Sequence, residues 1–332
     1  MPRGRPKRDD VLARFDRSLN DLWAVGGLPL PVEAEGIWEG IWHEETHHST
    51  AMEGNTLVLR QVKALLAEGR AVGNKELREY LEIEGYGDAA KWVYRQALRQ
   101  RLGEGKPPVI SLTEIRQIHE LVMKPVWDRM PDEGATVAEG PGGFRQCEIM
   151  PLRPGLGVAP QADIRPRLDE WIAQANQAPD EGIHFLSRLA QLHAAFERIH
   201  PFRDGNGRVG RLVLNLLLVR RSAPPAIIDK KARATHLRGL KACDEGDPGL
   251  LSEVLARAVC KTVEKHMLPA LAGPLRLVPL GALETSELSR VALLSAAKRD
   301  RLQAVKMGEH YYSTQRWVRE YADSRHQGRK AA

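Results

Sequence analysis

The sequence predicts an all-α bundle interrupted by one small β-hairpin and followed by a small C-terminal domain of helices and strands. Three observations carry that reading. Apolar residues recur three and four apart along most of the chain, as in Phe185, Leu189, Leu192, Phe196 and Ile199. One long Gly/Pro-rich stretch, GPGGFRQCEIMPLRPGLGVAP over 140–160, has the composition of a loop and a short hairpin. Aromatic residues are only 5% of the chain, too few for an aromatic-packed, sheet-rich domain.

Residues 1–10 are basic and then acidic without apolar periodicity, and a disordered tail is expected over 1–14. An N-terminal helical region over 15–110 follows. It is broken at Gly26, Gly27 and the Leu-Pro-Leu-Pro run, and helical spacing then leads from Ile37 and Ile41 to Met52, with Gly54 as its end. The core over 111–272 holds helices at Leu112–Met123, stopped by Pro125, and at Ile164–Ala175. Another helix runs into His200, one over Arg208–Arg221 turns Val209, Leu212, Val213, Leu216 and Leu217 inward, and Leu250–Met267 is again helical. A break at Gly273-Pro274 separates the last unit, 275–332.

The chain has 332 residues, a charged fraction of 28% and a net charge of +6, which favours an acidic partner such as a nucleotide or nucleic acid. Cys147, Cys243 and Cys260 are odd in number and lack CxxC spacing, so free thiols in a reducing compartment are expected. No apolar run approaches the roughly 20 residues that span a bilayer, and no secretory h-region is visible. The expectation is a cytoplasmic protein without a membrane partner.

The string His200-Pro201-Phe202-Arg203-Asp204-Gly205-Asn206-Gly207-Arg208-Val209-Gly210-Arg211 carries the chemistry. One helix ends and another begins within it, and two glycines let backbone amides approach a ligand. A helix N-terminus binds phosphate through its free N–H groups and dipole. Arg208 and Arg211 share one face of the first turn, and arginine forks match phosphate oxygens. Asp204 suits Mg²⁺ beside phosphates, and His200 is a titratable base at the rim. Together these describe a phosphate-transfer site.

At every fixed position the string resembles the signature of the Fic family, HxFx(D/E)GNGRxxR. The resemblance implies a Fic-type helical bundle with a β-hairpin flap, and transfer of AMP from ATP to a hydroxyl of a target protein. It implies His200 as general base and Asp204 as the ligand of Mg²⁺. It also implies Asn206 with Gly205 and Gly207 as phosphate cradle, Arg208 and Arg211 as holders of the β- and γ-phosphates, and Phe202 as core anchor of the loop. Relatives that move phosphate carry lysine in place of Gly207, so the glycine favours adenylylation. The family's habit implies a homodimer.

Ser49-Thr50-Ala51-Met52-Glu53-Gly54-Asn55 resembles the family's inhibitory motif, (S/T)xxxE(G/N). Ser49 and Glu53 lie one helical turn apart. A carboxylate at a helix end is disfavoured by the dipole, and a cationic partner offsets that. The resemblance supplies Arg211, so Glu53 would deny ATP its γ-phosphate contact. In some relatives the same glutamate supports AMP removal. His47 and His48 lack further ligands at metal spacing and are expected as surface histidines.

Gly143-Phe144-Arg145-Gln146-Cys147-Glu148-Ile149-Met150 resembles the family's flap, which pairs with the target's backbone, with Ile149 at the apolar clamp; a plain surface loop is the other reading. A tyrosine is common in the family where His236 stands. Near the C-terminus, a helix over 291–299, a strand over 302–308 and a helix from Gln315 capped by Ser313 or Thr314 resemble the winged helix of excisionase-type proteins. Arg290, Lys298, Arg299, Arg301 and Lys306 would meet DNA phosphates, unless the module docks a protein. Arg3-Gly4-Arg5-Pro6-Lys7-Arg8 resembles an AT-hook or is a basic solvated tail. The rival functions are a DNA-binding regulator with a secondary Fic core, and another Fic-type transferase moving phosphate or phosphocholine.

Overall fold

The computed structural model describes residues 7–24, 26–29, 34–99, 108–149, 157–177, 182–271, 278–307 and 309–330. Two compact units emerge, and they are not consecutive along the chain: one is Pro29–Val259, the other joins Met1–Leu28 to Cys260–Ala332. They cut across the linear partition read from the sequence.

α1 (Arg8–Ala24) starts inside the stretch expected as a tail. Asp9 and Asp10 favour its N-terminal dipole, and Val11, Phe15, Leu19 and Leu22 form its buried stripe. The Arg3–Pro6 part of the hook motif and the Gly273-Pro274 break fall outside the described residues.

The larger unit begins with α2 (Glu35–Met52), α3 (Leu59–Glu68), α4 (Leu77–Arg99) and α5 (Leu112–Arg129). Ser111 and Glu114 close a reciprocal capping box at the start of α5. Pro125 does not stop α5, contrary to expectation, but lies inside it. The Leu121 carbonyl that loses its helical donor there faces Gly85 of α4, where a side chain would collide with the Leu121 and Val122 carbonyls. α6 (Ile164–Asn176), α7 (Phe185–Ile199) and α8 (Asn206–Arg220) follow close to their expected spans, then α9 (Arg233–Asp244), for which no span was expected, and α10 (Gly249–Thr262), which ends short of the expected Met267. α8 is the centre: every residue from Arg208 to Val219 is buried, including Arg208, Arg211 and Asn215, and not only the apolar face read from the sequence. α4, α5, α7 and α2 pack around it.

In the smaller unit a π-helical turn over Val263–Met267 continues α10 into α11 (Leu268–Leu271). β1 (Val278–Pro279), α12 (Arg290–Lys298), β2 (Val305–Met307), β3 (His310–Ser313) and α13 (Gln315–Lys330) complete it. The three strands form an antiparallel sheet in the order β1-β3-β2. Thr314 caps α13 by accepting the Trp317 N–H at 3.1 Å, which decides between the two expected caps. Ion pairs bind α1 into this unit. Arg14 meets Glu264 at 2.8 Å, and Asp21 accepts from Arg316 at 2.5 Å.

The flap region differs from its expectation. Gly143 to Ile149 form no strand, and Met150 to Leu156 lie outside the described residues. The Arg145 N–H bonds the Pro201 carbonyl at 3.0 Å, so this segment is tied to the loop behind it. No helix among the described residues is long and apolar enough to cross a membrane. The three cysteines are free thiols, with Cys260 buried.

Candidate active site

α7 ends at His200, whose backbone is left-handed (φ 49°, ψ 59°), an uncommon state for a side-chain-bearing residue. Its neighbours hold it there. The His200 N–H bonds Phe196 O at 3.2 Å, and its carbonyl accepts from Arg145 Nε at 2.9 Å. The buried Arg145 guanidinium also donates to the carbonyls of Cys147 and Ala159, stapling the flap segment to the end of α7. Burial lowers its pKa.

The His200 ring points Nδ1 at the Glu197 carbonyl, 3.2 Å away. A carbonyl only accepts, so Nδ1 carries the proton and Nε2 keeps its lone pair. Burial lowers the His200 pKa, so the ring is neutral near pH 7. A neutral imidazole with a free Nε2 is a competent base.

The loop after His200 is braced from below. Phe202 is fully buried and stacks on His119 with ring centroids 3.8 Å apart. His119 Nδ1 accepts the Gly142 N–H at 2.8 Å, so its Nε2–H is the donor to the Asp204 carbonyl at 3.2 Å. Burial drives the His119 pKa down to about 3, which keeps both bonds at neutral pH. Asn206 pairs both ends of its amide with the Phe202 backbone, Oδ1 to N–H at 2.9 Å and Nδ2 to carbonyl at 2.7 Å. Its side chain therefore shapes the loop, with one Nδ2 donor committed to the Phe202 carbonyl.

Gly205, at φ 81°, sets the chain into α8, whose N-terminus faces the cleft. Asp204 is half exposed. Its Oδ1 accepts from the Gly205 N–H at 2.5 Å and from Arg208 Nη2 at 3.1 Å. Burial works against the Asp204 carboxylate, but Arg208 outweighs it and the pKa is lowered. Among the described residues no cluster of three or more His, Cys, Asp or Glu could cage a metal. One acceptor-only carboxylate at the mouth of an anion site fits Mg²⁺, which keeps waters and is completed by phosphate oxygens.

Arg211 is engaged. Its Nε donates to Ser49 Oγ at 2.6 Å, and its Nη2 donates to Ser49 O at 3.0 Å and to Glu53 Oε1 at 2.8 Å. Burial disfavours the Glu53 carboxylate, yet the Arg211 charge outweighs it and the pKa falls below the usual range. Glu53 is the C-cap of α2, followed by Gly54 at φ 110°. A Cβ at Gly207 would lie 2.6 Å from Glu53 Oε1, so this carboxylate rests on the first turn of α8, where an anion belongs. Arg208 contrasts with Arg211. It is buried, but its Nε and Nη1 have no hydrogen-bond partner.

Sequence reasoning missed the residues that fix α2 to α8. Glu45 accepts from Asn215 Nδ2 at 2.7 Å, from the Tyr86 hydroxyl at 3.0 Å and from the Tyr94 hydroxyl. Glu45, Ser49 and Glu53 thus form a stripe of every fourth residue that meets Asn215, Arg211 and Gly207 in antiparallel order. The signal was present as a polar stripe at helical spacing. Arg233 Nε caps the end of α2 at the Met52 carbonyl, 2.7 Å away. His47 is buried rather than on the surface, and burial lowers its pKa to about 4. Ile149 lines the cleft of about 150 Å³ together with Glu53, Glu197, His200, Arg211 and His236. His236 is buried with its Nε2 3.0 Å from that of His193.

Residues 109–218 match the Fic/DOC family. Proteins named protein adenylyltransferase Fic from Drosophila mojavensis and Drosophila grimshawi are 31% identical over 229 residues, which is 68% of this chain but 41% and 43% of theirs. The chain thus spans under half the length of these curated relatives. Fic-1 (residues 134–508) from C. elegans superposes with a TM-score of 0.62 at 24% identity, covering 78% of this chain and 72% of that one. A Fic family protein from Desulfovibrio desulfuricans G20 covers 95% of this chain and 96% of its own, with a TM-score of 0.52 at 18% identity. At those identities the two structures establish the fold alone. With its helical core, its signature loop and these matches, the chain carries a Fic domain and through it belongs to the Fic/DOC family.

Proposed function

We propose that this chain is an autoinhibited protein adenylyltransferase. The observation that carries this is a neutral His200 with free Nε2 beside a helix N-terminus whose anion position is filled by the chain's own Glu53. In the reaction, the target's hydroxyl oxygen attacks the α-phosphorus of ATP. Its proton passes to His200 Nε2, the bond to the bridging β-phosphate oxygen breaks, and pyrophosphate leaves. Arg208, the α8 amides and Arg211 hold the phosphates in line. Asp204 would hold Mg²⁺, which neutralises charge on the phosphates. Because Arg211 bonds Glu53, the γ-phosphate lacks its fork until α2 yields. Ile149 would clamp the target segment against the cleft.

ATP labelled at the α- or the γ-phosphate, incubated with Glu53→Gly protein, tests the reading. Protein-bound α-label is expected. Incorporation of γ-label instead would mean phosphate transfer, and no incorporation of either would defeat the transferase reading.

A second reading concerns the smaller unit, and charge favours it. Residues 1–28 and 260–332 together hold 19 Lys/Arg against 11 Asp/Glu, a net +8, while residues 29–259 hold 30 against 32, a net −2. The whole basic excess therefore resides in the unit without the Fic signature. Arg290, Lys298, Arg299, Arg301 and Lys306 are exposed on and beside α12 and β2. Such asymmetry fits a nucleic-acid backbone. Lys298→Ala/Arg299→Ala/Arg301→Ala protein should bind duplex DNA more weakly and with a shallower salt dependence in fluorescence anisotropy. Equal binding at low salt by both proteins would count against DNA as the partner.

A further inference from the structure

The carboxylate of Asp204 has both oxygens engaged by the chain's own cations. Arg208 and the Gly205 amide take Oδ1, and Oδ2 accepts from Arg78 Nη2 at 3.2 Å. Arg78 comes from the first turn of α4, far away in sequence. Its guanidinium acts as a fork. Nε donates to Glu82 Oε1, one turn further along α4, also at 3.2 Å, and this aims Nη2 at Asp204. The other Glu82 oxygen accepts from Asn55 Nδ2 at 3.2 Å, and the same amide donates to the Glu79 carbonyl at 2.9 Å. Asn55 lies two residues beyond Glu53. The segment that presents Glu53 to Arg211 therefore also braces the arginine on Asp204.

We propose that Arg78 is a tethered cation that competes with the dication for Asp204, forming a second lock on nucleotide loading beside the Glu53–Arg211 pair. The inference rests on Asp204 as the metal ligand. A guanidinium and a dication on one carboxylate repel each other at close range, so metal entry displaces Arg78 from Oδ2. Arg208 is buried and serves the phosphates, whereas Arg78 is 47% exposed and can swing out while Glu82 retains its Nε. The two locks act on different parts of the ligand: Glu53 withholds the arginine for the terminal phosphate, and Arg78 withholds the carboxylate for the metal. Because Arg78 and Asp204 are both about half exposed, the competition is modest, worth about two- to fivefold in metal affinity.

The affinity of a fluorescent ADP analogue for the full chain, measured by anisotropy across a series of free Mg²⁺ concentrations, tests this without any turnover. Arg78→Gln should lower the half-saturating Mg²⁺ about two- to fivefold, and Arg78→Lys should shift it less. Melting temperatures close to the parent's establish that the exposed substitutions leave the fold intact. An unchanged or higher Mg²⁺ requirement in Arg78→Gln overturns the proposal; a higher one would mean that Arg78 holds phosphate instead. Asp204→Asn should abolish the Mg²⁺ dependence in every background. If Asp204→Asn retains it, the metal-ligand reading itself fails, an outcome distinct from failure of the Arg78 competition.

Discussion

The two ends of the signature segment are in opposite states. At its start, His200 is neutral, its tautomer is fixed by the Glu197 carbonyl, and its Nε2 is free. At its end, Arg211 has Ser49 and Glu53 on its guanidinium and no fork left over for a phosphate. On the proposed reading, the base is ready and the nucleotide site is shut. On the function proposed above, inhibition would act on substrate placement and would leave the proton-transfer group in position. Such an arrangement suits a reaction in which misplacing the reacting phosphorus by about 1 Å costs about a hundredfold in rate.

The largest test breaks the ready end. His200→Ala in the Glu53→Gly background should lower α-labelled AMP incorporation by roughly 100–10,000-fold. Nucleotide affinity should stay within about twofold, since only a neutral ring is removed from the rim. A parallel loss of nucleotide binding would show that His200 shapes the pocket and would erase the contrast between the two ends.

The next test opens the shut end. Hydrogen bonds to charged groups contribute about 1.5–3 kcal/mol, so removing the tethered competitor in Glu53→Gly should raise transfer by roughly 10–100-fold. Arg211→Ala removes the phosphate contact itself and should abolish transfer, and the double variant should remain as inactive as Arg211→Ala. Recovery in the double variant would mean that Glu53 inhibits through something other than Arg211. Glu53→Gln keeps the shape without the charge and should fall between wild type and Glu53→Gly. The Glu53 carboxyl is held below its ordinary range, so its contribution is present above the unfolded value near 4.5 and is lost only as pH falls through the lower folded value. Mild acidification above pH 5 should therefore leave the inhibited state in place.

Much of this was legible because helical periodicity and the signature string are local. α6, α7 and α8 fall within about two residues of their expected bounds, and Glu53 meets Arg211 as the motif suggests. What escaped depends on partners distant in sequence. Nothing near Arg78 announces Asp204, and nothing near His119 announces Gly142 and Phe202. The start of α1 was missed because Asp9 and Asp10 look like part of a charged tail, while its stripe is anchored by Arg14 on Glu264 at the other end of the chain. Pro125 misled for a related reason: a helix tolerates proline when a glycine from a neighbouring helix faces the freed carbonyl.

The smallest expected effect bears on whether Glu53 is the sole carboxylate balancing Arg211. Glu197 lines the same cleft, with an enclosed Oε1 that has no hydrogen-bond partner, and burial pushes its pKa up to about 8. Glu45 is likewise raised by burial, to about 7. Such acids are protonated in the folded chain and ionised in the unfolded one between their ordinary value near 4.5 and the raised value. Their contribution is full below about 4.5 and falls as pH rises through that window. Buried His119 and His193, lowered to about 3, act in the opposite direction and cost stability only below about 6.5. Below pH 6.5 the lowered histidines, His47 among them, oppose the buried acids, and above pH 6.5 the buried acids act without that opposition. The melting temperature should therefore decline from pH 6.5 to 8. Glu197→Gln supplies a neutral group of the same shape that does not titrate, so its decline should be shallower. The difference is on the order of 1 kcal/mol per pH unit, or about 2–4 °C. An equally steep decline in the variant would mean that Glu197 is already ionised at neutral pH. Arg211 would then have a second carboxylate within its cleft, and Glu53→Gly would leave it still partly neutralised rather than free for the nucleotide.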